Sequence, residues 1–255
     1  MEETINSMDI SALILAKNEE NMIGDCLKQL DFVKEIIILD QNSRDKTIEI
    51  ANKYNVEILN SSEENFSKNR NLLLSHAKSK WILYIDCDER LSKDSIEEIK
   101  TVLSNITYSA YYFPRKNIIL GKWLKHGGWW PDYVPKLFLK KKLIKWQGKV
   151  HESPIVEGKY GYMKEPLTHY TARSIGSMLE KTIKWAKIEA QLSYEANQPN
   201  VNIIKIVKAV ILEFSKRYII KLGILDGTIG LIEAIFQSLH KAATLTYLWE
   251  FQNKK

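Results

Sequence analysis

Four short apolar runs without alternation dominate the first third of the chain: ISALILA at 10–16, EIIIL at 35–39, VEIL at 56–59 and WILYI at 81–85. Each is too short to stand as a helix, and a strand covered on both faces reads as an unbroken apolar run of this kind. Apolar residues three and four apart predict helices between the runs, over 20–30, 46–54 and 68–77, and another over 94–103. This β-α-β-α-β-α-β rhythm restricts the chain to an α/β class, a doubly wound and mostly parallel sheet. At 255 residues and 45% hydrophobic, the chain has the apolar content for one large core with an appendage.

Sheets of this type bind ligands outside the carboxyl ends of their strands. Asp40 is the first residue past the second run and Asp86 the first past the fourth, so both acids are expected to face one crevice. Lys17, Asn18 and Glu19 follow the first run and reach the same edge. The fourth run ends in DCDER, which gathers Asp86, Asp88 and Glu89 in a chain of formal charge +6. Mg2+ and Mn2+ combine one or two carboxylates with oxygens of substrate phosphates. Asp86 and Asp88 are therefore candidates to hold such a cation on a diphosphate. The plainer alternatives are that the acids line a solvated loop, that Asp40 caps its own turn, that Arg70 makes a surface ion pair and that Glu89 pairs with Arg90 or starts the next helix.

Past residue 103 the texture changes, with ten aromatics between Tyr108 and Trp146 that read as short strands and loops. From Ser174 the rhythm is helical, broken at 198–200 and again around 223–230. The boundary is placed near Arg173, giving a domain over 1–172 and a helical region over 173–255. Trp129 and Trp130, with Trp123 nearby and Gly127 and Gly128 adjacent, can offer a sugar ring a stacking face or fill a core. His76, His126, His169 and His240 lack metal-ligand spacing and read as structural. Lys136, Lys140, Lys141, Lys142, Lys145 and Lys149 read as a hairpin with a solvated basic turn, or as a surface for anionic headgroups. In 203–222, apolar residues alternate with Lys205, Lys208, Lys216, Arg217 and Lys221, a pattern that suits an interfacial helix on an anionic membrane. It suits core packing or a homo-oligomer contact at least as well.

Cys26 and Cys87 form no disulfide framework, and MEETINSMDI lacks the basic start and apolar centre of a signal peptide. Asp226 and Glu233 interrupt the most apolar stretch well short of the ~20 clean residues a spanning helix needs. A cytoplasmic protein is expected, with peripheral attachment to the inner face of the cytoplasmic membrane as its furthest membrane contact.

ILAKNEENMIGDCLKQL, IIILDQNSRDKTIEIA, FSKNRNLLLSHAKSKWILYIDCDERL and GKVHESP together resemble glycosyltransferase family 2. Within it, the chain is similar to bacterial enzymes that add sugars to lipopolysaccharide core or related surface glycans. The resemblance implies the GT-A fold with a helical C-terminal extension. It also implies metal-dependent, inverting transfer of a hexose from a nucleotide sugar, a UDP-sugar first among them, to a lipopolysaccharide-core, lipid-linked or other surface-glycan acceptor. In that reading Asp40 binds the nucleotide base, Lys17, Asn18 and Glu19 wall its pocket, Arg70 approaches the nucleotide, Asp86 sits near ribose and metal, and Asp88 ligates Mn2+ or Mg2+. Asp132 and Glu152, in WxPD and HE patterns similar to the family's, are both candidates for the base, with a slight lean to Glu152. His151 is a candidate metal or diphosphate contact, and Trp129, Trp130 and Glu89 are candidates for the acceptor side. The family's other pattern, a Glu-Asp pair opening a helix in mid-domain, is not evident, which leaves the base open.

Rival readings are a basic membrane- or nucleic-acid-binding module on the same scaffold, and a sugar nucleotidyltransferase. The latter should show a Gly-rich phosphate loop after the first strand, and AKNEEN has no glycine. A nucleic-acid surface should set aromatics among basic residues, whereas here they mix with acids, so no nucleic-acid partner is expected.

Overall fold

The computed structural model describes residues 8–148 and 152–254. Two compact units divide the chain: Met1–Arg115 with Tyr133–His169, and Lys116–Asp132 with Tyr170–Lys255. In chain order the first elements are β1 (Met8–Ala16), α1 (Ile23–Lys28), β2 (Val33–Asp40), α2 (Thr47–Ala51), β3 (Glu57–Asn60), α3 (Phe66–His76), β4 (Trp81–Tyr84), β5 (Glu89–Arg90) and α4 (Lys93–Ser104). There follow β6 (Ala110–Ile119), β7 (Lys122–Trp123), β8 (Tyr133–Leu139), β9 (Leu143–Gln147), β10 (Ser153–Val156), β11 (Tyr160–Tyr162) and β12 (Leu167–Ala172).

The central sheet of the first unit runs β3-β2-β1-β4-β8-β6. The first four of these strands pair in parallel, as the sequence rhythm predicts, and β8 is antiparallel to both of its neighbours. β1 explains why its sequence does not alternate. Ala12, Ile14 and Ala16 enter one core with Ile23 and Leu27 of α1 and Ile99 of α4. Leu13 enters the opposite core with Leu39, Leu73 of α3, Tyr84, Phe138 and Trp146. Both faces are covered, so both parities are apolar.

Local chemistry sets the ends of the helices. Asn65 accepts from the backbone N–H of Lys68 to start α3, and Ser92 and Ser95 form a reciprocal cap on α4. At the carboxyl edge, Asn18 and Asn42 adopt φ of +57° and +58°, a left-handed conformation that asparagine tolerates through local hydrogen bonding. Asn18 Oδ1 accepts from Arg44 N at 2.8 Å, and Asn18 N donates to Ser43 Oγ at 2.9 Å. The loops after β1 and β2 are thereby joined.

The basic tract departs from the expected hairpin. β9 pairs with β10, a short 3-10 turn over Lys140–Lys142 precedes it, and Lys136 is buried within β8. Lys149 lies outside the described residues.

In the second unit α5 (Ile175–Glu195), α6 (Ile203–Phe214) and α7 (Gly227–Asn253) pack together, with a π turn over Ser215–Ile220 and a 3-10 turn over Gly223–Asp226 between the last two. Ile119, Leu124 and Trp129 share a core with Met178, Ile229, Ile232 and Phe236. The Asp226 carboxylate accepts from His126 N at 2.8 Å, and its backbone carbonyl accepts from Lys122 Nζ at 2.6 Å. These contacts group 116–132 with the helices, whereas the single sequence boundary near Arg173 leaves that segment with the strands.

Candidate functional site

The turn after β4 is built so that Asp86 and Asp88 stand apart from Cys87. Cys87 is buried and its Sγ reaches the Leu15 carbonyl at 3.6 Å, which is the apolar side of the alternation. Glu89 closes the turn: its Oε2 accepts from Asp86 N at 2.9 Å, while its own N–H donates to the Asp86 carbonyl at 3.0 Å. Arg90 donates to the carbonyls of Cys87 and Glu89, each at 2.7 Å, and to Met22 at 3.0 Å, while Gln29 also donates to the Glu89 carbonyl. The carbonyls of Asp86, Cys87 and Glu89 and the N–H groups of Asp86 and Glu89 are thus bonded within the protein, which fixes the turn.

Lys136 supplies the first counter-charge. Its ammonium donates to Asp86 Oδ2 at 2.7 Å and to Glu89 Oε2 at 2.6 Å. Arg70 supplies the second. Its Nε donates to Glu152 Oε1 at 3.0 Å, one of its terminal nitrogens lies 3.7 Å from Asp86 Oδ1, and its guanidinium stacks over Trp146 and Tyr84 at 4.7 and 5.3 Å. Tyr84 Oη donates to the Arg70 carbonyl at 2.9 Å, which fixes α3 against the end of β4. The result is one chain of charges: Glu152, Arg70, Asp86, Lys136, Glu89.

Loss of water around the cluster pushes Asp86 upward, but Lys136 and Arg70 outweigh it and hold the carboxyl well below the usual carboxylate range. For Glu89, burial wins over Lys136 and raises it, with the charge of Asp86 adding to the rise. Asp88 has a different partner, His169 Nε2, 3.4 Å from its Oδ2. The Asp88 side chain keeps 20% of its surface exposed and that of Asp86 35%, against none for Glu89.

Asp40 is the last residue of β2, so the strand runs one position further than the sequence run suggests, and it is nearly buried. Its two carboxylate oxygens accept from Ser43 N at 3.3 and 3.1 Å, the capping arrangement, with further lone pairs remaining on each oxygen. Lys17 and Asn18 are exposed on the joined loops, and Glu19 N donates to Thr47 Oγ1 at 2.7 Å.

Nine of the sequence candidates thus lie in the first unit: Lys17, Asn18, Glu19, Asp40, Arg70, Asp86, Asp88, Glu89 and Glu152. His151 lies outside the described residues. Asp132, Trp129 and Trp130 belong to the second unit, where Asp132 accepts from Asn117 Nδ2 at 3.1 Å, Trp129 packs on an apolar core and Trp130 meets Trp123 edge to face. Glu89, expected on the acceptor side, is fully buried and faces Lys136, so it supports the turn and cannot line an open pocket. Arg70, expected at the nucleotide, is committed to Glu152 and Asp86. His169, read as structural, is beside Asp88. Lys136 was also missed, although a lysine inside the apolar run KLFL needs a buried carboxylate partner and so carried a signal.

Among the described residues, no three His, Cys, Asp or Glu side chains form a ready metal cluster. The donor set nonetheless fits a cation that takes most of its ligands from substrate: Asp88 offers a partly exposed carboxylate and His169 an imidazole nitrogen beside it. Asp86 fits less well as a direct ligand, because its oxygens face Lys136 and Arg70.

Comparison with known proteins finds the family described as glycosyl transferase family 2 over residues 11–164. An uncharacterized glycosyltransferase of Rickettsia conorii is 23% identical over 262 residues, covering 94% of this chain and 90% of its own. The lipopolysaccharide core biosynthesis glycosyltransferase LpsC of Rhizobium meliloti is 23% identical over 207 residues, covering 76% of this chain and 75% of its own. Among solved structures, residues 1-349 of S. aureus TarS in complex with UDP-GlcNAc superimpose with a TM-score of 0.50 at 14% identity, covering 94% of this chain and 89% of that one.

Proposed function

Because the chain belongs to glycosyl transferase family 2 and has the GT-A fold, we propose that it moves a hexose, with inversion, from a UDP-sugar to a glycan acceptor of the lipopolysaccharide-core or lipid-linked kind. The observation that carries this reading is the acid turn at the carboxyl end of β4, where both acids keep part of their surface but Asp86 is neutralised by Lys136 and Arg70 while Asp88 stands beside His169. The resemblance to LpsC supports the acceptor class.

In this reading Asp40 and the joined loops of Lys17, Asn18 and Glu19 receive the nucleotide base. A carboxylate at a strand end suits an imide N–H or a ribose hydroxyl. Asp88 and His169 are the residues that would hold Mn2+ or Mg2+, which when bound supplies charge neutralisation to the departing diphosphate. Asp86 organises Arg70 and Lys136 around the turn, and Arg70 in turn fixes the Glu152 carboxylate.

The acceptor hydroxyl attacks the anomeric carbon, its proton passes to a carboxylate, and the bond from that carbon to the diphosphate oxygen breaks. UDP leaves with the bonding pair. A single displacement of this type needs no covalent sugar intermediate. Two carboxylates are candidates to take the proton, Glu152 and Asp132, and variants of each separate them.

Calorimetric titration with UDP, with and without MnCl2, tests the proposal. Binding that strengthens with manganese is expected. A folded protein that binds no UDP under either condition would sink it. A screen of sugar nucleotides for thermal stabilisation then identifies the donor, since a ligand of the native state raises apparent stability by mass action.

A further inference from the structure

The outer face of α6 and the turns after it form an apolar surface that the first unit's chemistry does not use. Its inner face is accounted for: Ile206 and Ala209 pack on a core with Leu245 and Leu248 of α7. On the other side Ile203 and Ile204 are 76% and 73% exposed, and Val207, Ile211 and Leu212 are each more than half exposed. With Lys208 these residues line one shallow groove. The exposure continues through Ile219, Ile220, Leu222, Ile224 and Leu225. Scattered exposed aliphatics need no explanation, but ten within one short segment mark an interaction surface.

Charge decides what that surface meets. Residues 203–225 carry five cations, Lys205, Lys208, Lys216, Arg217 and Lys221, and one carboxylate, Glu213. Glu213 is already bonded to Arg217 at 2.8 Å. Lys208, Lys216 and Lys221 are exposed among the aliphatics. A second copy docked face to face would bring two such cationic patches together, with Glu213 already bonded to Arg217, since an isologous contact repeats one patch on both sides. An anionic lipid surface instead neutralises the lysines and takes up the aliphatic side chains. Among the described residues no helix is long and apolar enough to cross a membrane, so a lipid contact of this segment would be in the plane of the interface.

We propose that 203–225 is an in-plane membrane anchor that seats on bilayers containing anionic phospholipid. The inference does not depend on which sugar the first unit transfers.

The test is sedimentation of the full chain with vesicles of phosphatidylcholine, with and without phosphatidylglycerol. Binding is expected to the anionic vesicles and to fall with added salt. Neutralisation by Lys208→Gln/Lys216→Gln/Lys221→Gln should weaken it on the order of a hundredfold, from about fivefold per lysine. The variant Ile204→Glu/Ile211→Glu/Ile220→Glu should weaken it by at least about tenfold, because it removes apolar insertion. All six positions are exposed, and unchanged circular dichroism together with unchanged UDP binding would show that loss of vesicle binding is local. The proposal is overturned if the unaltered chain ignores anionic vesicles, if it binds neutral vesicles equally well, or if neither variant changes binding. A dimer in ultracentrifugation that the isoleucine variant dissociates, with no vesicle binding, assigns the face to a second copy and also overturns it.

Discussion

Removing the ammonium of Lys136 leaves Asp86 and Glu89 facing each other with one counter-charge gone. Glu89 is fully buried and cannot recruit water in its place. Breaking a buried pair from one side costs about 3–5 kcal/mol, and the partial exposure of Asp86 sets the expectation for Lys136→Met near the lower end, about 3 kcal/mol in urea unfolding. Adding Glu89→Gln should recover most of that loss, because it removes the charge left without a partner; a single variant as stable as the parent would refute the network. The catalytic carboxylates are separated differently. Asp88→Asn should abolish manganese-dependent UDP binding and turnover together. Glu152→Gln keeps an oxygen for Arg70 Nε, so UDP binding should survive while kcat falls ~10² to 10⁴-fold if Glu152 is the base. Retained turnover there, with a matching loss in Asp132→Asn, moves the base to Asp132. The acids were legible in the sequence because a hydrophobic run that stops at a carboxylate marks a strand end. Their partners were not. Lys136 meets Asp86 only because β8 pairs antiparallel with β4 in one register, Leu83 opposite Leu137, and register is a tertiary property that local pattern does not report.

At the scale of elements, α7 contains a group whose protonation is tied to folding. Burial pushes Glu233 up to about 7, against the opposing effect of its hydrogen bond from Gln237 at 2.6 Å and the charge of Arg217. The folded state therefore holds a proton that the unfolded chain, with an ordinary Glu near ~4.3, has already released. Stability from this group is complete below the unfolded value and declines as pH rises toward 7, by roughly 3 kcal/mol in all. Glu233→Gln should flatten that slope and raise stability at pH 8, read from urea midpoints at several pH values; an unchanged slope would place the pH dependence elsewhere. The same helix shows what the sequence left hidden. Its start, Gly227, falls inside the stretch read as a turn around 223–230. At Gly230 an added Cβ would lie 2.0 Å from the Gly223 carbonyl. Two glycines that look like loop punctuation are there because helix and turn abut backbone to backbone. The parallel strands, by contrast, were legible almost residue for residue, since burial on both faces leaves a signal within each strand.

For the whole molecule, the division of labour between strands and helices does not follow the chain. Residues 116–132 take in the end of β6 and the stretch up to β8, yet they are held by the C-terminal helices, through the core of Ile119 and Leu124 with Met178, Ile229, Ile232 and Phe236, and through the bonds of Asp226 to His126 and Lys122. A chain ending at Ala172 keeps every central strand but loses those partners. Ile119 and Leu124 are each 1% exposed in the intact protein. Uncovering a buried Ile or Leu costs about 1.5–3 kcal/mol, so the shortened chain forfeits several kcal/mol in one segment. The shortened protein should bind a hydrophobic dye, and proteolysis should cut it first within 116–132. UDP should remain able to bind, since Asp40 and Asp88 lie in the first unit. Protection of 116–132 in the shortened chain equal to that in the full chain would mean that the strands alone fold this segment, and the boundary near Arg173 would then be the physical one.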